Sequence, residues 1–536
     1  MALAFAAVLF GVYGPALHGA FVSDDIGYVA GNPWIQELSL ANLRAILDPT
    51  GPAAAHTANW APLHLLLHAI DWRLFGADTF GHHVVNVALH AVASALLVAL
   101  FARYGAPFAA AVVAGALFAL HPSNVEAVAW IFQLKSIVAL ALATAALLAE
   151  PRRPLLGAAL FALALLAKIQ AAFALPVAVV AVFCGAPEGA RPARARIAAL
   201  AGWTIVLGLA FLPEMLAFER LGHADVGAQL APAERLRASV GFLGRYFEMA
   251  ATSRGVSAFQ QPELPASWLD PYCLLGLAGA VAMAARALFT LVRRQGEAAF
   301  WAWVAGALLP VSQLLPFLYP IADRYLYFVL PGLLGAALLA LRAPLERVVR
   351  APRSAPAMLV VAASLAAIGL FGVRSHARAA VWVSDAALSR DSAAHYPNGL
   401  PALLLRAQSA ALQRDVDGAV AALRAASARG YDRFIDLERE PFWEPLRSDA
   451  RFRAVVAEIA GVWIGHVADR ENPTVPELRM WGMAHAARGE WDDAIAKLER
   501  AEEIGGPGTS GLRADLAEVR ARRKRAERES GGTQAP

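Results

Sequence analysis

The sequence predicts an all-α fold: a polytopic bundle of about eleven membrane helices followed by a helical repeat domain outside the bilayer. Three observations carry this reading. Hydrophobic residues make up 58% of the 536 positions and charged residues 17%, against about 45–50% and about 25% in soluble domains, and mean hydropathy is +0.48. The apolar residues fall in runs that recur from the N-terminus to Val373, after which charge becomes frequent. Past residue 400, small and apolar residues repeat at the spacing of stacked helical hairpins.

A membrane-spanning helix needs about 17–25 mostly apolar residues. Such runs lie at 2–20, 84–101, 107–121, 133–149, 154–167, 171–184, 197–213, 272–292, 299–318, 325–341 and 356–373. The two shortest flank Lys168, where a break is expected. The first run lacks the basic leader of a signal peptide and is read as a retained span. Short loops rich in Lys and Arg stay on the cytoplasmic side. With the N-terminus inside, the loops around Arg103, 150–154 (EPRRP), 191–196 (RPARAR), 293–297 (RRQGE) and 342–353 gather every short basic cluster on that side. The outer side receives the long segments 21–83 and 214–271. An odd number of spans puts the C-terminal domain outside as well. The Ala-heavy, GC-rich character of the chain points to a bacterial inner membrane and a periplasmic C-terminal domain. The expected organisation is a membrane domain over 1–375, a repeat domain over 376–520 and a basic, disordered tail over 521–536.

Cys184 and Cys273 lie at opposite ends of their spans, too far apart for a disulfide, and are expected as free thiols. The net charge of +4 restates the inner-loop arginines, and nothing points to nucleic acid.

In the C-terminal domain, Gly482, Ala494, Leu498 and Ala501 occupy the small and apolar positions of a tetratricopeptide repeat, with Trp481, His485 and Gly489 fitting its first helix and turn. A second unit, 401–431, matches through Ala407, Ala419, Leu423 and Ala426, and the stretch 440–459 reads as an insert. A generic helical hairpin domain is the alternative. Either supplies an interaction surface and no chemistry. The tail VRARRKRAERESGGTQAP reads as a solvated helix that frays, with anionic lipid headgroups as an alternative partner.

Chemistry is sought on the outer face, because ionisable residues at membrane depth are costly and tend to be functional. Four stretches place such residues at span ends. FVSDD (21–25) carries Asp24 and Asp25. HPSNVEAVAWIFQLK (121–135) carries His121, Glu126 and Lys135, with Glu126 and Trp130 on one helical face. LLAKIQ (165–170) carries Lys168 and Gln170. LYPIADRYLYF (318–328) carries Asp323, Arg324 and Tyr325. Singly, each has a structural explanation as a helix cap, a snorkelling lysine or an interfacial aromatic. Together they put carboxylates and cations at one level. His82 and His83 are adjacent, and His64 and His68, though helix-spaced, lack a local acid, so no metal or other cofactor is expected.

FVSDD with NPW downstream, NWAPLHLLLHAIDWRLFG (59–76), GHHVVNVALHAVASALL (81–97), HPSNVEAVAW, QLK and ADRYLY resemble, in kind and order, the membrane region of the transmembrane and tetratricopeptide-repeat O-mannosyltransferases and their bacterial homologues. The resemblance covers nearly the whole chain to about residue 400. It implies a GT-C superfamily glycosyltransferase that takes a sugar, mannose favoured, from a polyprenyl phosphate on the outer face and passes it to a hydroxyl. Leu134 and Ser136 depart from the charged run that animal members carry around the position of Lys135, and Ile169 departs from the residue expected after Lys168.

Such a transfer needs a base for the acceptor proton, and the resemblance points to the first outer loop, hence to Asp24 or Asp25, one as base and the other positioning. The leaving phosphate needs cations. Arg324 offers a fork matched to phosphate oxygens, and Lys135 and Lys168 offer point charges. Asp323 is expected to orient Arg324, Glu126 to pair with a lysine, His121 to cap a helix, and Tyr325 and Gln170 to support the site. The amphipathic stretches around Trp34 and Trp72 are expected to lie in the interface and wall the donor groove, and 245–270 to act as a lid or acceptor element. The repeat domain would hold a protein or glycan acceptor. A lipid-linked glycan polymerase or ligase and a non-catalytic membrane-anchored scaffold are the alternatives. A transporter would place its charges near the midplane, in related halves of the chain, and neither is found.

Overall fold

A computed structural model describes the chain except residues 58, 186–188, 220–229, 315–318, 469–472, 506–510 and 532–536. Leu318, Gly506 and the last five residues of the tail therefore lie outside the described residues. Every regular element among the described residues is helical, and the chain divides into two compact units, Met1–Asp391 and Ser392–Pro536.

All eleven apolar runs are helical, but their lengths differ. Thr79–Arg103, Ile131–Ala149, Ala193–Ala217, Pro271–Val292, Asp323–Ala340 and Ala355–Val383 are long and apolar enough to cross a membrane. Phe108–Ala119 and Pro122–Ala129 form a pair bent by 51°. Ala2–Val12, Pro154–Ala167, Ile169–Phe183 and Glu297–Val311 are shorter. Among the described residues, six helices, or seven with the bent pair, are thus long and apolar enough to span by themselves, and the remaining four of the eleven runs form shorter apolar helices. The reasons are local. Gly14 and Pro15 stop the first helix, Lys168 takes an extended conformation (φ −162°, ψ 126°) between two short ones, and Pro310 begins a 3-10 turn after Leu308.

The basic loops converge at one end of the bundle. Arg196, 1% exposed, forks onto Glu150, 2% exposed, with Nε and Nη2 donating at 2.9 and 2.6 Å. The Arg191 backbone N–H donates to the Pro151 carbonyl at 2.7 Å. A Cβ at Gly105 would sit 2.8 Å from the Arg342 guanidinium, and one at Gly185 2.9 Å from Gly296. The five loops expected on a common side are therefore together. Because the helix Leu134–Ala149 starts next to Lys135 and ends at Glu150, the four outer stretches belong to the opposite end.

Between the first helix and Thr79–Arg103, short helices Pro33–Gln36, Leu40–Leu47 and Pro52–Thr57 fill the first long segment, followed by Pro62–Phe75. The second long segment is not simply a loop. It holds the 21-residue helix Pro232–Thr252, whose Gly244 and Gly276 of the next helix let the two backbones touch: Cβ atoms there would lie 2.0 Å from the Tyr272 oxygen and 1.9 Å from the Val240 oxygen. Both cysteines are buried and free.

The first unit continues past the expected boundary at 375. Helix Ala355–Ala379 runs on into a 3-10 turn that buries Trp382, and Arg378 pairs with Asp391. In the second unit, Leu400–Leu412 with Val416–Ser427 and Val475–Ala487 with Trp491–Ile504 form hairpins, joined through Phe434–Arg439 and Ala450–Val467. Ala494, Leu498 and Ala501 are fully buried, and a Cβ at Gly482 would meet the Leu498 side chain at 2.6 Å. Gly489 turns the hairpin at φ +77°, a region that favours glycine. The last helix, Leu512–Gly531, extends well into the segment expected to be disordered.

Two stability outcomes follow. Arg196→Ala leaves a buried, unpaired Glu150 and is expected to cost about 3–5 kcal/mol, while Gly276→Val forces the Pro232–Thr252 and Pro271–Val292 helices apart at about 1–3 kcal/mol. Thermal unfolding of the purified protein in detergent measures both, and a Tm unchanged in either variant contradicts the packing described.

Candidate active site

The site begins with a tight turn. Ser23 sits at φ +52°, strained for a residue with a side chain, and its backbone N–H donates to the Asp385 carboxylate at 2.8 Å. The Ala20 N–H donates to the Val383 carbonyl at 3.1 Å. This fastening presents the next two residues differently. Asp25 is fully buried, and its two oxygens accept the Val22 N–H at 3.1 Å and the Phe132 N–H at 2.7 Å. Burial pushes its carboxyl well above the usual range, against the pull of those two amides. Asp24 is half-buried, and no donor among the described residues bonds its carboxylate. Burial raises it too, while the charges of Lys135 and Arg324 draw it partly back.

Phe132 is available to Asp25 because the chain breaks there. After His121 the backbone forms a 3-10 turn (Pro122–Asn124), five α-helical residues (Val125–Ala129), a kink at Trp130 and a second 3-10 turn (Ile131–Gln133) before the helix Leu134–Ala149. Asn86 Nδ2 lies 3.2–3.4 Å from the Val128, Trp130 and Ile131 carbonyls and satisfies that irregular backbone. Glu126 and Trp130 consequently do not share one continuous helix, although both reach Arg324.

The cations are held by distinct means. Arg324 donates its backbone N–H to Glu126 at 2.7 Å and its Nη1 to the other Glu126 oxygen. Its guanidinium lies 4.9, 5.2 and 5.5 Å from the rings of Tyr319, Tyr325 and Trp130. Lys135 has its ammonium 3.8 Å above the Phe132 ring and makes no ion pair among the described residues. Lys168 donates to Ser136 Oγ at 2.8 Å, and Ser136 donates to Gln133 at 2.7 Å.

Two expected partnerships are corrected. Glu126 pairs with Arg324 and not with a lysine. Asp323 does not orient Arg324; it accepts the Ser257 N–H at 2.9 Å and Gln260 Nε2 at 2.5 Å, tying down the middle of the segment expected as a lid. Consecutive residues on a helix diverge by about 100°, so neighbours in sequence face apart. His121 accepts the Ser123 N–H at 3.2 Å as a cap, and its Nε2 lies 3.1 Å from the Ala250 carbonyl. Gln170 is half-buried on the turn Ile169–Phe173.

Three further residues, assigned no role from the sequence, take part in the site. Glu214 accepts the Trp60 N–H at 2.7 Å and acts electrostatically on Lys135 and Lys168; its signal was a lone acid ending an apolar run. Ser136 and Asp385 are ordinary polar residues whose roles depend on distant segments. The assembled group offers one carboxylate with no donor among the described residues, near two cations, which suits taking a proton from one oxygen while stabilising negative charge on another.

Comparison with known proteins gives a partial likeness. No family model matches the chain. It is 38% identical over 128 residues to protein O-mannosyl-transferase Tmtc1 of Drosophila melanogaster, covering 23% of this chain and 15% of that protein. It is 34% identical over 128 residues to protein O-mannosyl-transferase Tmtc2 of the same organism, covering 22% and 13%. It is 31% identical over 149 residues to protein O-mannosyl-transferase TMTC1 of Mus musculus, covering 26% and 15%. The matched stretch thus spans no more than 15% of the length of these curated relatives.

The two acids are expected to respond differently to truncation. Asp25→Ala strands two backbone N–H groups, at about 1–3 kcal/mol each, whereas Asp24→Ala removes no hydrogen bond and is expected to stay within about 0.5 kcal/mol of the parent. Parallel unfolding curves decide this, and equal losses would refute the division of roles.

Proposed function

We propose that the chain is a membrane glycosyltransferase that moves mannose from a polyprenyl-phosphate donor to a hydroxyl of a protein acceptor on the outer face of a bacterial inner membrane. The carrying observation is the Asp24 carboxylate, without a hydrogen-bond donor among the described residues and subject to the charges of Lys135 and Arg324. The names of the partial relatives support the reaction class. The convergence of the basic loops at the far end of the bundle supports the sidedness.

In this reading Asp24 is the base. It takes the acceptor hydroxyl proton as the oxygen bonds to the anomeric carbon, and the bond from that carbon to the phosphate oxygen breaks. The phosphate leaves as an anion of low basicity, so it requires charge more than a proton. Arg324 offers the N–H donors that Glu126 does not take, and Lys135 and Lys168 add point charges. Asp25 holds the turn that aims Asp24. A raised but still titratable carboxyl is a better base than an ordinary aspartate, because its proton affinity lies nearer to that of the group it must deprotonate. The second unit is proposed as a tetratricopeptide-type surface that recruits the acceptor. Its cleft of about 600 Å³ is lined by Arg439, Arg479, Met480, Met483 and Asp515.

Turnover of labelled polyprenyl-phosphate mannose, beside other polyprenyl-phosphate sugars, tests the reading with purified protein in lipid and periplasmic extract as acceptor. Asp24→Asn is expected to lower transfer by about 10²–10⁴-fold. Transfer by Asp24→Asn equal to the parent removes the acid from the mechanism, and transfer only from diphosphate-linked oligosaccharides moves the chain to the polymerases and ligases.

The pH dependence has a definite sign. Asp24 acts only when ionised, and burial raises its carboxyl above the usual aspartate range, so activity is expected to fall with acid at a pH above that of an ordinary aspartate. Lys135→Met removes a charge that holds the carboxyl down, and the acidic limb of kcat/KM is expected to move to higher pH; an unmoved limb contradicts Asp24 as the titrating group.

A further inference from the structure

We propose that His68, Asp71 and His82 form a site for one divalent transition-metal ion of the Zn²⁺ class, which pins the helices Pro62–Phe75 and Thr79–Arg103 together beside the acid turn. This corrects the expectation that the helix-spaced histidines lack a local acid and that no metal is bound. Asp71 lies one turn beyond His68 on the same helical face.

The three residues each turn one ligand atom to a common point, with those atoms within 4.8 Å of one another, and all three are buried. A tetrahedral ion with bonds of about 2.0–2.2 Å would draw these ligand atoms closer together than that. The ligand set, two imidazoles and one carboxylate, is that of zinc sites with an open fourth position.

The hydrogen bonding favours a ligand over a packing role. His82 Nε2 lies 3.0 Å from the Gly76 carbonyl, the backbone contact that fixes a ligating histidine and leaves its other nitrogen as lone-pair donor. That other nitrogen, Nδ1, has no hydrogen-bond partner among the described residues, and neither nitrogen of fully buried His68 has one. Buried polar atoms rarely stay unpaired. Asp71 makes no ion pair among the described residues, and a buried carboxylate without a counter-charge is expensive. A dication answers all of these at once.

The local fold is built to hold the three in place. Gly76, at φ +57°, reverses the chain between the helices. The Asp78 side chain accepts the Phe80 N–H at 3.1 Å and starts the second helix. Gly81 lets the Phe75 ring approach so closely that a Cβ would lie 2.2 Å from it. Phe21, Trp72 and Phe75 surround the His82 ring at 5.6–6.3 Å. On its other side the cluster reaches the acid turn. His68 packs edge-to-face against His64 at 4.5 Å, and His64 likewise against Phe132 at 5.0 Å, the residue whose N–H holds Asp25.

The test is metal analysis of the full chain, purified in detergent with any affinity tag removed. One Zn²⁺ per chain is expected, and Co²⁺ in its place is expected to give the visible absorption of a low-symmetry N/O site. His68→Ala and His82→Ala are expected to abolish both. Asp71→Asn, which keeps shape and packing, is expected to weaken Zn²⁺ binding by about tenfold or more, and it carries the test if a histidine variant fails to fold. His485→Ala serves as control, because the second cluster of ligand type, His485, Glu490 and Asp493, lies in the other unit. Metal that survives His68→Ala and Asp71→Asn, or is lost in His485→Ala, overturns the assignment. So does folded parent protein that binds neither ion. None of these readouts depends on sugar transfer.

Discussion

The interruption of the helix between His121 and Gln133 is the constraint on which the rest of the site depends. At membrane depth an exposed backbone amide or carbonyl is costly, so irregular backbone persists only where protein partners satisfy it. Here Asn124 donates to the Phe118 carbonyl at 2.7 Å to close the bend, Asn86 serves the carbonyls around the kink, and Asp25 receives the freed Phe132 amide. The break therefore creates both the demand for a buried acid and the place where Trp130, Glu126 and Lys135 can face Arg324. A continuous helix over these residues would spread them around its circumference.

Charge in the site is organised by division of labour. Glu126 engages one edge of Arg324, and three aromatic rings flank the guanidinium, so its remaining donors have little freedom to reorient. Lys135 makes no ion pair among the described residues and is steadied by a ring face, which stabilises a cation without neutralising it. Of the two carboxylates in the turn, one is consumed by structure and one is left open. Such preorganisation costs stability, since each charge is partly desolvated without full compensation, and it concentrates field where an incoming anion would sit.

Much of this was legible in the sequence, for identifiable reasons. Hydropathy located the eleven apolar helices of the first unit because a bilayer imposes a minimum of apolar length, but not the helix Pro232–Thr252, which carries no such run; the five arginine-rich loops lie together at one end of the bundle. Helix termination was less legible: Gly14, Lys168 and Pro310 act through local geometry that a hydropathy window averages away. Asp24, Asp25, Lys135, Lys168 and Arg324 stood out as charges ending apolar runs. Their partners did not, because Glu126 and Arg324 are 198 residues apart and Asp25 and Phe132 107, separations over which spacing carries no information. Asp323 was misjudged for the opposite reason, since adjacency to Arg324 suggested a contact that helical geometry forbids. Asp71 was within one turn of His68 and could have been read.

The bond from Ser23 to Asp385 spans 362 residues, which gives the acid turn an unusual place in the life of the chain. Its acids are synthesised long before the carboxylate that fastens their turn, which lies near the end of the first unit. A nascent chain halted before Asp385 carries the acids on an unfastened turn. Fastening of the turn is thereby tied to synthesis of nearly the whole first unit.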